Sequence, residues 1–445
     1  MLTGEEATVS FADVVALSER FQLSHYSTNF GGHVFYWVAS KLDPSFDLYY
    51  ARWWKAAAMG GLAPLVFLTL RRRLGCARAA AALGALAVCL LPGVTAFSWL
   101  ATENGLEAVA GMWGLLIATS RRPVWWMAPA LAAVSISLYG SGLAWASAIG
   151  AVLLWRLAHS RRRLPSLVRV SAATVLGLGF VVFPLWWWHG GTIVTGGGAR
   201  GVSPDPQALV QLAGELFSSG NSYYYFNSQP ALGPSALAIL SATALLWCAV
   251  RRRRVWPWLT VLIATVILYA MSGGVLGVRR GISISVVAGM GIGLAADMVM
   301  KSAAWKGVAA SAATRPAARQ SILVSATAVM AALILMPLAL ALDDYRAALY
   351  AGKGQQRLPV DFPFPISPGE TMLSTLHKVA QQRQDGVPWS VIATEREGTR
   401  TASMLLLLQE HDKVAPGLVS GEIVHTLYRQ GRTCDEDCEP TADRK

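Results

Sequence analysis

The sequence predicts an all-α polytopic membrane protein of about ten transmembrane helices, followed by a small C-terminal extracytoplasmic α/β domain. Three observations lead there. The 445 residues are 54% hydrophobic and only 14% charged, with a mean hydropathy of +0.42, which is more apolar surface than a water-soluble chain can bury. The apolar residues fall in stretches long enough, or nearly so, to cross roughly 30 Å of hydrocarbon as helices. The basic residues, which give a net charge of +12, gather in short clusters between those stretches. A nucleic-acid binder with a pI near 9.7 would carry its charge as one stripe, so nucleic acid is excluded as a partner.

Apolar windows place the spans at 55–70, 76–96, 104–120, 124–140, 142–158, 166–188, 235–250, 255–273, 281–300 and 320–342. The third to fifth are short and contain Ser and Gly, which leaves a re-entrant pair as the alternative to two full crossings. The basic clusters are Arg71 to Arg73, Arg121 and Arg122, Arg161 to Arg163, Arg251 to Arg254, and Lys301 to Arg319. Placing each of them in the cytoplasm makes them alternate with the other loops, with both termini outside. On the opposite face lie 1–54, 97–103, 141, 189–234, 274–280 and 343–445, and the short ones hold no Lys or Arg except Arg279 and Arg280. That pair opposes the topology rule and calls for a role. Arginine outnumbers lysine 30 to 8 and Ala and Gly abound, a composition of GC-rich bacterial genomes. The expected location is therefore the inner (plasma) membrane of a bacterial cell.

Three regions follow from this organisation: an extracytoplasmic first loop with an interfacial helix at 1–54, a transmembrane domain at 55–342, and a soluble extracytoplasmic domain at 343–445. The first region is no signal peptide, because Glu5, Glu6 and Asp13 stand where a basic n-region and an apolar core belong. An external N-terminus before the first span implies either a hydrophobic helix upstream of this chain or an N-tail translocated by the following span; the upstream helix is the expectation here. Asp343 and Asp344 end the last span. Beyond them the chain turns polar, with Pro359, Pro363, Pro365 and Pro368, then mixes a strand-like Trp389 to Thr394 with a helical run near Ala402 to Glu410.

Of the five cysteines, Cys76, Cys89 and Cys248 fall in or beside spans as small hydrophobes. Cys434 and Cys438 face an oxidising compartment on this topology and suit a disulfide; half a zinc set is the alternative. The tryptophans at 53 and 54, 125 and 126, 186 to 188, 256 and 258 read as an interfacial belt. The run Tyr223 to Phe226 in the long 189–234 loop reads either as a membrane anchor or as a sugar- or lipid-contacting surface.

Ionisable groups at a membrane boundary are costly and so are candidates for function. The outer face collects Glu5, Glu6, His33, Arg52, Glu103, Arg279, Arg280, Asp343 and Asp344. An ionised carboxylate there can act as general base toward a hydroxyl or amine nucleophile. Arginines at the same depth suit a lipid-linked phosphate, since the guanidinium stays charged and grips phosphate oxygens in pairs. Together these groups point to transfer from a lipid-phosphate donor. Solvated loop charges, an interfacial histidine, and Arg52 and Lys55 snorkelling beside Trp53 and Trp54 are the plainer readings.

The order of motifs from Gly4 to about Ser120 adds to this. Glu5-Glu6 is followed by His33 in GGHVFYW, Arg52 in YYARWW, RRRLG at Arg71 to Gly75, Leu91-Pro92, and Thr102-Glu103 in SWLATENGLEA. This series resembles the C-type (GT-C fold) membrane glycosyltransferases, in particular the branch of protein O-mannosyltransferases and bacterial lipid A aminoarabinose transferases. That branch opens its first external loop with an Asp-Glu pair and continues with an HPP-type motif before an aromatic run. An Arg at the head of the next span and a basic cytoplasmic turn follow, then a Leu-Ser-Pro and a Thr-Asp. The resemblance implies that Glu6, or Glu5, orients or deprotonates the acceptor and that Glu103 is the second acid. It places Arg52 near the donor phosphate and His33, Arg279 and Arg280 in substrate binding. Here Glu stands in place of Asp at both acids, and Val34 and Phe35 in place of the two prolines.

The expected function is transfer of a sugar, hexosyl or pentosyl, from a polyprenyl phosphate to a lipid, glycan or protein acceptor in the cell envelope. No cofactor is required, with a divalent metal left open, and no glycine-rich phosphate loop is present, since Gly273 to Gly281 lacks the spacing and the preceding strand. The alternatives are a transporter or flippase, for which Glu107 and Asp297 are the main acids within the spans, and a non-catalytic membrane scaffold.

Overall fold

The computed structural model describes residues 30–42, 48–98, 104–160, 163–188, 206–217, 230–251, 253–271, 281–302 and 316–350, and within them every regular element is a helix. Glu5, Glu6, Glu103, Arg279, Arg280, the Tyr223 to Phe226 run, Cys434, Cys438 and the expected α/β domain from 351 onward lie outside the described residues.

The chain begins with α1 (Phe30–Leu42) and α2 (Leu48–Gly60). A turn at Gly61 leads to α3 (Leu62–Leu68), which widens into a π-helical turn at Thr69–Arg73. Helix α2 starts seven residues before the span predicted at 55, because Tyr50, Trp53 and Trp54 pack on one another at helical spacing, with ring centroids 6.0–6.3 Å apart. The predicted second span is broken: α4 (Arg78–Leu90) and α5 (Pro92–Ser98) meet at 60°. Pro92 causes the break, forcing Leu91 into an extended conformation (ψ 127°) and starting α5 where its missing N–H costs nothing.

Helices α6 (Leu106–Ala118), α7 (Ala128–Leu138, preceded by a 3₁₀ turn at Pro123–Met127) and α8 (Gly142–Ala158) run back and forth between the two ends of the bundle. α9 (Arg163–Trp188), α10 (Pro206–Phe217), α11 (Ser235–Arg251), α12 (Trp256–Met271), α13 (Ile282–Lys301) and α14 (Pro316–Tyr350) complete it. α14 continues past the end expected at Asp343 and Asp344, whose helical neighbours Tyr345 to Tyr350 carry the turn on. Among the described residues, Tyr50–Arg73, Ile282–Lys301 and Val324–Asp344 are long and apolar enough to cross a membrane, with the α4–α5 pair a fourth if the bent helices count as one span. The other apolar helices are shorter.

The three long spans differ in burial, and the reason is position. α13 is buried almost all round and forms the centre, packing on α4 on one side and α11 on the other. Its glycines permit this: a Cβ on Gly289 would meet Val88 Cγ2 at 2.2 Å, one on Gly291 would meet Ser241 Oγ at 2.2 Å, and one on Gly293 would meet Gly84 Cα at 3.0 Å. Lipid tails are as apolar as leucine, so helices in a bilayer are held by such close backbone approach and not by hydrophobic contrast. α14 instead lies at the edge and turns Leu333, Met336 and Leu340, each more than half exposed, outward. Exposed apolar side chains on that scale need hydrocarbon around them, which agrees with a membrane location.

The arginine clusters mark one end of the bundle. Arg73 Nη2 donates to the Leu116 carbonyl at 3.1 Å, and Arg156 Nη1 donates to Ala118 at 2.7 Å and also to Ser120. These bonds bring positive donors to the carbonyls at and just beyond the C-terminal end of α6. Buried Asp297 takes the Ala77 N–H at 2.8 Å and pairs with Lys301 at 2.7 Å, while Lys301 also reaches the Gly75 carbonyl at 3.1 Å. Clusters that the sequence assigned to a common side therefore meet in space: the first, the second and the start of the last.

Candidate functional site

The opposite end holds a network of buried polar groups. Gly105 caps α6 with φ of 96°, a left-handed conformation that glycine adopts without strain. The turn directs the Gly105 N–H back onto Glu107 Oε2 at 2.6 Å. Glu107 sits in the first turn of α6, where the open N–H groups favour a negative charge. Its second oxygen, Oε1, accepts from Ser141 Oγ at 2.8 Å, and its main-chain carbonyl accepts from Ser135 Oγ at 2.8 Å. Lys55, from α2, donates its Nζ to the Asn104 carbonyl and lies within electrostatic reach of Glu107. Lys55, Glu107 and Ser135 are wholly buried, and Asn104 and Ser141 nearly so. Lys55 and Glu107 thus lie within electrostatic reach of each other out of water, each hydrogen-bonded to other groups, which is the condition for tolerating buried charge.

Several helices converge on this network. A Cβ on Gly105 would meet Met59 Cε of α2 at 2.8 Å and Ile282 Cδ1 of α13 at 3.3 Å. Trp145 Nε1 of α8 donates to Ser283 Oγ of α13 at 2.8 Å. α1 closes the side, since a Cβ on Gly31 would meet Ser137 Oγ at 2.5 Å at the last turn of α7, and Phe35 packs edge-on against Trp54 with centroids 6.5 Å apart. Among the described residues, the buried Asn104 Oδ1 and Trp54 Nε1 at this end have no hydrogen-bond partner. They add unsatisfied hydrogen-bonding capacity next to the charged pair.

Of the residues singled out in the sequence, Arg52 stands half-buried on α2, one helical turn before Lys55 and so on the same side of the helix. His33 belongs to the first turn of α1. Glu103 immediately precedes Asn104, and Arg279 and Arg280 immediately precede Gly281 and Ile282; those described neighbours, Gly105 and Ile282, are the ones in contact. Asp343 and Asp344 are exposed within α14. Among the described residues no three of His, Cys, Asp and Glu are placed to hold a metal ion.

Sequence reasoning missed the roles of Lys55 and Glu107. It assigned the first to an interfacial anchor beside Trp53 and Trp54 and counted the second as an isolated acid within a span. The available signal was an ionisable residue inside an apolar stretch, twice, in segments that the topology brings to one face.

No protein-family model matches the chain, and no curated protein matches it in sequence. Its backbone is similar to the crystal structure of ArnT from Cupriavidus metallidurans in the apo state, at a TM-score of 0.46 and 16% identity, over 96% of this chain and 72% of that one. The crystal structure of the same protein bound to undecaprenyl phosphate gives a TM-score of 0.43 at the same identity and coverage.

Proposed function

We propose that the chain is a membrane glycosyltransferase that moves a sugar from a polyprenyl-phosphate donor to a lipid, glycan or protein acceptor, at the end of the bundle that carries Lys55, Asn104 and Glu107. On this reading that end is the extracytoplasmic face of a bacterial inner membrane, and polyprenyl phosphate means a carrier of the undecaprenyl phosphate type. The observation that carries the proposal is the buried Lys55–Asn104–Glu107 network. It anchors Asn104, the residue after Glu103, which is the second acid of the motif series.

In the proposed mechanism the Glu6 (or Glu5) carboxylate takes the proton from the acceptor hydroxyl or amine, with Glu103 as the second acid. The freed lone pair forms the new bond to the anomeric carbon while the bond from that carbon to the phosphate oxygen breaks. Polyprenyl phosphate leaves with the electron pair, and Arg52, Arg279 and Arg280 hold the charge that develops on it. Single displacement inverts the anomeric centre. Lys55 and Glu107 take no proton in this scheme; they are positioning residues that fix where α6 begins, just after Glu103 in the sequence. His33, on α1, contributes to the substrate-facing side.

The test is turnover of a panel of polyprenyl-phosphate sugars by the reconstituted full chain, read as release of polyprenyl phosphate with and without a metal chelator. Release by the wild type that is lost in Glu6→Gln and Glu103→Gln supports the transferase and names its acids. A folded protein that turns over no donor overturns it in favour of transport or scaffolding.

A further inference from the structure

The arginine end carries a second feature, remote from the proposed reaction site. Where α3 runs into the π-helical turn Thr69–Arg73, the chain reverses through Gly75 in a left-handed conformation (φ 73°) and enters α4 at Arg78. Leu74 N–H bonds the Thr69 carbonyl at 3.1 Å, and Cys76 N–H bonds the Leu70 carbonyl at 2.9 Å, so the reversal is hydrogen-bonded throughout. The result is an open cleft of about 500 Å³ lined by Phe67, Leu68, Arg71, Arg72 and Arg78. Three guanidinium-bearing and two apolar residues line it.

Among the described residues, the charge in and around this cleft is not offset by carboxylates. Arg72, Arg121 and Arg122 act on Arg73 as like charges, and Arg73 does the same to Arg156. Among the described residues, none of Arg71, Arg72, Arg78, Arg121 and Arg122 forms an ion pair with a carboxylate. Asp297, nearby in the fold, is already engaged by Lys301 and the Ala77 N–H. Arg71 Nη1 donates to the Cys76 carbonyl at 3.0 Å, which fixes its orientation and leaves further N–H donors on the same guanidinium. Arg72 and Arg78 are exposed, with no intramolecular hydrogen bond from their side chains.

From this we infer that the cleft binds the phosphate of an anionic phospholipid headgroup, with the lipid's upper chain against Phe67 and Leu68. The chemistry required is a phosphate diester or monoester: guanidiniums bind phosphate oxygens in pairs, and several of them tolerate a divalent anion. A lipid and not a soluble anion is the assigned source, because the cleft lies at the end of the apolar helix Tyr50–Arg73 and Phe67 and Leu68 line it beside the arginines. Basic pockets between helices at a bilayer surface draw anionic lipid in this way. The inference is independent of the catalytic proposal, since it concerns the other end of the bundle and a ligand that is not consumed.

The experiment is native mass spectrometry of the purified full chain titrated with phosphatidylglycerol, compared with phosphatidylcholine, for wild type, Arg72→Gln, Arg78→Gln, the double variant, Arg78→Lys, and the exposed Arg254→Gln as control. The expected result is retention of phosphatidylglycerol over phosphatidylcholine, with affinity falling about five-fold for each cleft arginine removed and about 25-fold for the pair. Arg78→Lys retains most of the binding, Arg254→Gln all of it, and millimolar inorganic phosphate does not displace the lipid. Equal retention of the two lipids, no loss in the double variant, or displacement by inorganic phosphate would each overturn the assignment. The last outcome would mean a free-anion site only. All variants are checked for wild-type thermal unfolding, so that a loss of binding reports the cleft and not the fold.

Discussion

Replacing Glu107 by Gln removes one charge from the buried network and almost nothing else. The amide oxygen still accepts the Gly105 N–H that the carboxylate held at 2.6 Å. The amide NH₂ can donate to Ser141 Oγ, now acting as acceptor where it had donated at 2.8 Å. What disappears is the negative charge facing the Lys55 ammonium, both groups being wholly buried. Removing one of two interacting buried charges costs up to about 3–5 kcal/mol, because the remaining charge keeps its desolvation penalty and loses part of the field that offset it. Lys55→Met alone costs a similar amount, since it leaves Glu107 without the ammonium and the Asn104 carbonyl without its donor. The double variant removes both charges, so its cost should fall well below the sum of the two, to roughly 1–2 kcal/mol. The assay is the midpoint of unfolding followed by tryptophan fluorescence in one detergent at one scan rate, where each single variant should lower the midpoint by roughly 6–10 °C. Single variants within about 1 kcal/mol of wild type, or a double variant equal to the sum, would refute the reading that these two residues act as one unit.

The glycines of α13 set a second expectation. Gly293→Leu drives a side chain into Gly84 and Leu70, so it should destabilise by about 1–3 kcal/mol or abolish folding, as seen in expression yield and thermal unfolding. Gly150→Ala in α8, where nothing lies within 4 Å of the added Cβ, should stabilise by roughly 0.5–1 kcal/mol. At the arginine end, Asp297→Ala strips the Ala77 N–H and Lys301 of their partner and should cost about 1–3 kcal/mol in the same measurement. Asp297→Asn keeps an acceptor for Ala77 and should cost less. If Ala and Asn were equally harmful, the hydrogen bond that starts α4 would carry no weight.

The helical, membrane-bound character was legible in the sequence, and so was the gathering of basic clusters at one end. Hydropathy and charge are local quantities that a bilayer reads locally, so a window of residues is enough to find them. The Pro92 break was legible in the same sense, since Leu91-Pro92 carries its own backbone restriction; the 60° bend it produces is set by what α4 and α5 pack against. The central place of α13 was not legible, because an apolar window scores alike whether its neighbours are helices or lipid. Only packing showed that Gly289, Gly291 and Gly293 are contact residues. The candidate site divides the same way. Arg52 was found from its place at the head of a span, whereas Lys55 and Glu107, 52 positions apart in the chain, gained their meaning only when α2 and α6 met beside Asn104. A sequence specifies which residues a membrane will accept, but the free energy of a buried charge depends on which partner stands opposite it, and that is fixed by tertiary structure.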